Sequence, residues 1–372
     1  MFLLTHKLQS SLPLLATLTI GAFGGTLAAQ AGVPIAWMLG SLVAVAASGL
    51  LGAPLGAVPA RLNGLALACI GAALGGALDP HWVANPSLWV PTLSVVMLVH
   101  AAMTVGAAAA FRRTGVDYST AFLCAVPGAM NQVAALAPEL GADTRQVALS
   151  HSVRVVTVMV CIAALVAVLA PSAQGGMVQG AIGPAAATPK DLEPVAVLGL
   201  ILCILAGPAV ARRLGLPSPA ILGAAVAVAS LRVAGVLDAG PSSLAMASAQ
   251  IVAGAGIGFG FRGVALRTLA RTARTSVPVS IGFVAVAALA AVGLSAATGW
   301  TYTTALLVMA PGGLAEMALL ATNVSPTPTV VAVHHTCRIL INLLLVPLGH
   351  RAWMAASIRF GGHRGAAIVP GE

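Results

Sequence analysis

Apolar runs of about twenty residues recur along the chain, parted by short polar stretches. Five lie in the first half, near residues 11–30, 34–52, 62–79, 87–111 and 147–170. Five more lie in the second, near 193–211, 217–236, 243–261, 276–298 and 329–349. Each approaches the length that a helix rising ~1.5 Å per residue needs to cross ~30 Å of hydrocarbon. Two further apolar stretches, 118–138 and 302–322, are interrupted by Pro127-Gly128 and Pro311-Gly312, a pair that breaks helices. The pattern predicts an all-α polytopic membrane protein.

The runs come as two copies. A shift of 183 lays Gly32 to Gly40 (GVPIAWMLG) over Gly215 to Gly223, and Gly71, Leu74, Gly75 and Leu78 over Gly254, Ile257, Gly258 and Phe261. A shift of 184 lays Pro127-Gly128 over Pro311-Gly312, Gln132 over Glu316, His151 over His335 and Arg154 over Arg338. Residues 8–171 therefore read as membrane repeat 1, 172–192 as a Gly-, Pro- and Ala-rich linker, 193–350 as repeat 2, and 351–372 as a basic tail. The duplication also settles how the first run is read. Its counterpart, 193–213, cannot be a signal peptide, so the first run reads as a retained helix despite Lys7 before it and Ala29-Gln30-Ala31 at its end.

Charge bears on orientation. Hydrophobic residues make up 59% of the chain and charged ones only 7%, with a mean hydropathy of +1.00, too apolar for a soluble domain. The net charge of +9 comes from Lys and Arg scattered over short loops, which is no nucleic-acid footprint. If the Pro-Gly stretches dip in and return, one side holds 14 of the 18 Lys and Arg, the other holds Lys190 and Arg232, and Arg154 and Arg338 lie in the membrane. If they cross fully, the split becomes 7 to 9. The positive-inside rule favours the first, with ten crossings and both termini cytoplasmic. Five crossings per half turn the second repeat upside down, which is the inverted-repeat architecture of secondary transporters. Arg262 to Arg274, with four Arg and no acid, and the C-terminal tail would then meet anionic lipid.

The chemistry gathers at the two breaks. A half-helix start presents amide groups that attract anions, so Pro127, Gly128, Pro311, Gly312 and Gly313 are candidate solute contacts, with Asn131 and Gln132 as polar ligands. Arg154 and Arg338 are cations inside apolar helices, a functional signature as well as a possible structural pair. His151 and His335 precede them by three residues on the same face, and Asn342 extends the His335–Arg338 stripe. Glu316, the one carboxylate in an apolar stretch, reads as a proton or cation coupling site. The adjacent His334 and His335 point ~100° apart and do not make a ligand set. The five cysteines form no CxxC pair, and no cofactor is expected.

The motifs GVPIAWMLG, PGAMNQ, HSVR and APGGLAE, across duplicated halves, resemble the AbrB-type membrane protein family of bacteria over nearly the whole chain. That resemblance carries the labels ammonia monooxygenase and AbrB regulator; the residues show neither clustered metal ligands nor a DNA-binding stretch. The layout is also similar to inverted-repeat anion symporters of the glutamate and citrate type. The leading expectation is a secondary transporter of a small anionic or zwitterionic solute, coupled to protons or a cation, with the site between the breaks. A non-transporting sensor of gene expression and a membrane monooxygenase are the alternatives, and homo-oligomerisation stays open.

Overall fold

The computed structural model describes residues 2–128, 133–134, 136–169, 194–216, 218–237 and 240–360. The linker at 172–192, Asn131, Gln132 and the last twelve residues lie outside these. Regular structure among the described residues is helical: α1 (Phe2–Gln30), α2 (Ala36–Leu50), α3 (Ala60–Gly76), α4 (Pro80–Ala84), α5 (Val90–Arg112), α6 (Tyr118–Ala125), α7 (Thr144–Leu169), α8 (Pro194–Arg213), α9 (Pro219–Val233), α10 (Ser243–Phe259), α11 (Leu266–Thr298), α12 (Tyr302–Met309), α13 (Leu314–Val324) and α14 (Pro328–Phe360).

Six helices, α1, α5, α7, α8, α11 and α14, have the length and apolarity to cross a membrane, which makes the chain a multi-pass membrane protein. The other four expected spans are shorter: α2 and α9 have 15 residues, α3 and α10 have 17. Their ends are fixed locally. Gly32 and Gly215 turn the chain with φ of 69° and 68°, and Ile35 and Ser218 then take left-handed φ of 47° and 49° before the helix starts. The tail expected from Arg351 begins as helix, because α14 runs on to Phe360.

The repeat seen in the sequence is a repeat of structure. The shift of 183 carries the bounds of α2 onto α9 and of α3 onto α10, and the shift of 184 carries α6 onto α12. Packing repeats as well. Gly71 and Gly75 of α3 lie against the backbone of Ile221 and Ala225 in α9, and Gly254 and Gly258 of α10 lie against Met38 and Leu42 in α2. A Cβ on Gly71 or Gly254 would sit 2.2 Å from the facing carbonyl oxygen, so glycine is what lets these helices touch. α1 meets α2 through Gly24 and Gly40, as α8 meets α9 through Gly207 and Gly223. The first helix thus packs against α2 as α8 packs against α9.

These contacts sort the helices into two groups. α1, α2 and α3 interleave with α8, α9 and α10, whereas α5, α6 and α7 assemble with α11, α12 and α14. The second group surrounds the two breaks. Its core is a continuous apolar cluster that includes Phe122, Leu123, Met159, Leu306, Leu307 and Met309.

Candidate functional site

The broken segments are short helices with firm starts and forced ends. Asp117 caps α6 by accepting from the Thr120 amide at 2.8 Å, and Thr301 caps α12 by accepting from the Thr304 amide at 3.3 Å. Both helices stop after eight residues, just ahead of Pro127 and Pro311. The carbonyls of their last turns are left without intrahelical partners.

The arginines take up those carbonyls. Arg154 Nη1 donates to Cys124 O at 3.0 Å and Nη2 to Val126 O at 2.7 Å. Arg338 Nη1 donates to Ala310 O at 2.8 Å and Nη2 to Gly312 O. A guanidinium at a helix C-terminus also meets the negative end of its dipole. Arg154 is 4% exposed and Arg338 1%, so neither snorkels to the surface.

The histidines hold the arginines in place. His151 Nε2 lies 2.9 Å from Leu123 O and its Nδ1 2.5 Å from Arg154 Nη2; His335 Nε2 lies 2.9 Å from Leu307 O and its Nδ1 2.9 Å from Arg338 Nη2. A carbonyl only accepts and a guanidinium only donates, so both rings are neutral with the proton on Nε2. Their Nδ1 lone pairs are committed to arginine and face a positive charge. Among the described residues, no three His, Cys, Asp or Glu group closely enough to hold a metal ion.

The two breaks meet at Arg338. Its Nε is buried with no hydrogen-bond partner among the described residues, and it faces Gly128, where a Cβ would stand 3.3 Å from Nε and 3.2 Å from Nη2. Gly128 also has a φ of 76°, so both backbone and space call for glycine there. Asn342 Nδ2 donates to Pro127 O at 3.2 Å. One helix of repeat 2 therefore reaches both breaks, and the stripe His335, Arg338, Asn342 works as a unit.

Glu316 lies in the first turn of α13, where Gly313 is the N-cap. A Cβ on Gly313 would lie 2.1 Å from Glu316 Oε2, so the carboxylate folds back over that helix start. It accepts none of the hydrogen bonds of Arg338, although Glu316 and Arg154 are both near enough to act on that charge. The amide end expected to receive a solute already holds a carboxyl group of the chain's own. Asn131 and Gln132 fall outside the described residues.

Sequence reasoning missed His100 on α5. Its Nε2 is 3.3 Å from Arg338 Nη1 and its Nδ1 is 2.8 Å from Val96 O. The signal was there to be used: a histidine in an apolar run whose repeat counterpart is Val284.

Residues 37–354 match the family described as "Transition state regulatory protein AbrB". The chain belongs to the AbrB family. A curated relative from Bacillus subtilis (strain 168), "Uncharacterized protein YhjN", is 26% identical over 358 residues, covering 90% of this chain and 91% of its own. The family span runs from Trp37 in α2 to Met354 in α14, so both breaks and both His–Arg pairs lie within the matched residues.

Proposed function

We propose that this AbrB-family protein is a secondary transporter of a small anionic or zwitterionic solute, which binds between the two Pro-Gly breaks. The observation that carries this reading is Arg338: a fully buried guanidinium with one N–H unpaired among the described residues, set against Gly128 of one break while it caps the carbonyls of the other. Arg154 is near enough to act on that charge, and among the described residues Glu316 is the carboxylate that does so. Two cations against one anion leave the region net positive, which suits a negative solute.

Glu316 supplies a coupling mechanism. While ionised, its carboxylate covers the start of α13. Protonation removes that charge, and the amide end and Arg338 then turn to the solute's negative group. Proton and solute thereby enter together, as a symport requires. We read the repeats as inverted, with ten crossings, the α6 and α12 segments re-entrant, and both termini on the cytoplasmic side of an inner membrane. The reciprocal packing of α3 on α9 and α10 on α2 supports a two-fold relation between the halves. Arg267, Arg271 and Arg274 are exposed near the start of α11, a helix of 33 residues. At ~1.5 Å per residue it outreaches the ~30 Å hydrocarbon core and would carry those charges into anionic head groups.

The family's description favours a second reading, a sensor that binds the same solute without moving it. The neutral, arginine-bound histidines argue against the oxygenase alternative. A first test screens the detergent-purified protein for stabilisation by small carboxylates, amino acids and inorganic anions across pH, with and without sodium. A ligand whose stabilisation disappears in Arg338→Ala is the expected result. A ligand that stabilises Arg338→Ala as well as the parent would remove Arg338 from the site.

A further inference from the structure

The shift of 184 that relates the halves also lays Thr92 over Ser276 and Ser150 over His334. The two pairs thus hold equivalent places, one between α5 and α14, the other between α11 and α7. His334 precedes Arg338 by four residues and Ser150 precedes Arg154 by four, so each pair stands one turn from an arginine, on the same side of it along its helix.

The pairs differ in what they do. Thr92 Oγ1 and His334 Nε2 are hydrogen-bonded at 2.8 Å, and His334 Nδ1 is held by Val330 O at 2.7 Å. Trp300 stands edge-on to that ring at 5.7 Å, with Trp82 5.7 Å from Trp300 in turn. At the other place the side chains are short. Ser150 and Ser276 are each 1% exposed, and among the described residues the Ser276 hydroxyl has no hydrogen-bond partner and that of Ser150 none beyond the Cys124 thiol. Ser150 has the Cys124 thiol as a neighbour, a weak partner at best. Nearby Ser152 and Ser280 behave as serines usually do in helices, donating to the carbonyl four residues back at 3.0 and 2.6 Å. Buried hydroxyls so poorly paired are costly in an apolar setting unless water or a polar solute reaches them.

The two places lie at opposite ends of the bundle. Ser276 and Thr298, which is next to the Trp300 end of α11, stand about 33 Å apart along that helix. Arg267, Arg271 and Arg274 flank the Ser276 end and are exposed.

We propose that these pairs are the two gates of one passage: the Thr92–His334 bond closes the tryptophan end, and Ser150 with Ser276 lines a wet entry for small anions from the arginine-rich end to Arg154. The proposal rests on the reading of the Arg154–Arg338 region as an anion site. It adds by which end the solute reaches that site, through residues that are buried in this conformation, and which residues close the other end.

Thiol labelling of the full-length protein in membranes tests it. Ser276→Cys reports the wet entry, Val96→Cys, one turn deeper than Thr92, reports the space behind the latch, and Arg271→Cys marks the basic face. The parent, with its own five cysteines, gives the background. Ser276→Cys should react with impermeant thiosulfonates from the basic face. A sulfonate reagent should outpace a trimethylammonium one by roughly tenfold, after correction for their rates with a free thiol. Val96→Cys should stay unreactive from both faces and become reactive from the tryptophan face once Thr92→Val or His334→Asn removes the latch. Ser276→Cys unreactive from either face, or Val96→Cys labelled equally with and without the latch, would overturn the proposal. Labelling needs no transported solute, so the anion reading can fail separately: the gates would still label, but without preference for the sulfonate.

Discussion

Arg338 donates to two backbone carbonyls, faces two imidazoles, and among the described residues its Nε beside Gly128 has no partner. This crowding makes Gly128 a sharp probe. Gly128 and Gly141 both have positive φ, 76° and 66°, but a Cβ at Gly141 meets nothing within 4 Å, whereas at Gly128 it meets the guanidinium. Gly141→Ala should therefore cost about 1–2 kcal/mol from backbone conformation alone. Gly128→Ala should cost distinctly more and should weaken ligand binding, which thermal unfolding with and without ligand would show. Equal losses at the two sites would mean that Arg338 simply moves aside. The Arg–His pairs themselves were legible in the sequence, because a cation and an imidazole three residues apart share a helix face. Their direction was not: no spacing rule says that the guanidinium will turn to the carbonyl end of the preceding half-helix, or that Glu316 will cover the amide end of the next.

Between helices, backbone contact decides. At Gly71 and Gly254 the neighbouring helix comes so close that an added methyl would stand 2.2 Å from its carbonyl oxygen, whereas Gly64, on the same α3 as Gly71, has nothing within 4 Å. Gly71→Ala and Gly254→Ala should each destabilise by roughly 1–3 kcal/mol, since the obstruction is backbone and cannot rotate away. Gly64→Ala should be neutral or stabilise by up to ~1 kcal/mol through helix propensity. Thermal melts of the three variants read this directly, and similar losses at all three would dissolve the argument. At this scale the sequence was informative about number and order. The repeat placed α2 against α9 and α3 against α10 as counterparts, and the Pro-Gly pairs marked where α6 and α12 end. Hydropathy overstated the lengths of α2, α3, α9 and α10, because alanine- and glycine-rich turns such as Gly52-Ala53-Pro54 are as apolar as the helices they close. Nor does any one segment's pattern reveal that α1–α3 leave α5–α7 to pack with the other half.

The whole molecule is a duplicated helical body whose helices sort into two groups. Its proposed coupling can be separated from its binding. Glu316→Gln mimics the protonated carboxyl, so it should retain solute exchange while losing the dependence of net uptake on a pH gradient. Unchanged gradient-driven uptake in that variant would take Glu316 out of the coupling. Orientation is accessible too: reporters at Arg271 and at His81 should fall on opposite sides of the membrane, with Arg271 inside, and a shared side would refute the ten-crossing arrangement.

The most direct measurement is uptake of a solute identified by thermal shift into liposomes carrying the purified protein, with Arg338→Lys as the partner sample. Lysine keeps the charge but loses the fork that spans both breaks. The parent should accumulate the solute under an imposed proton gradient, and Arg338→Lys should not. A parent that binds the solute yet never moves it across the bilayer would contradict transport and leave the sensor; equal uptake by both proteins would show that Arg338 is not where the solute is held.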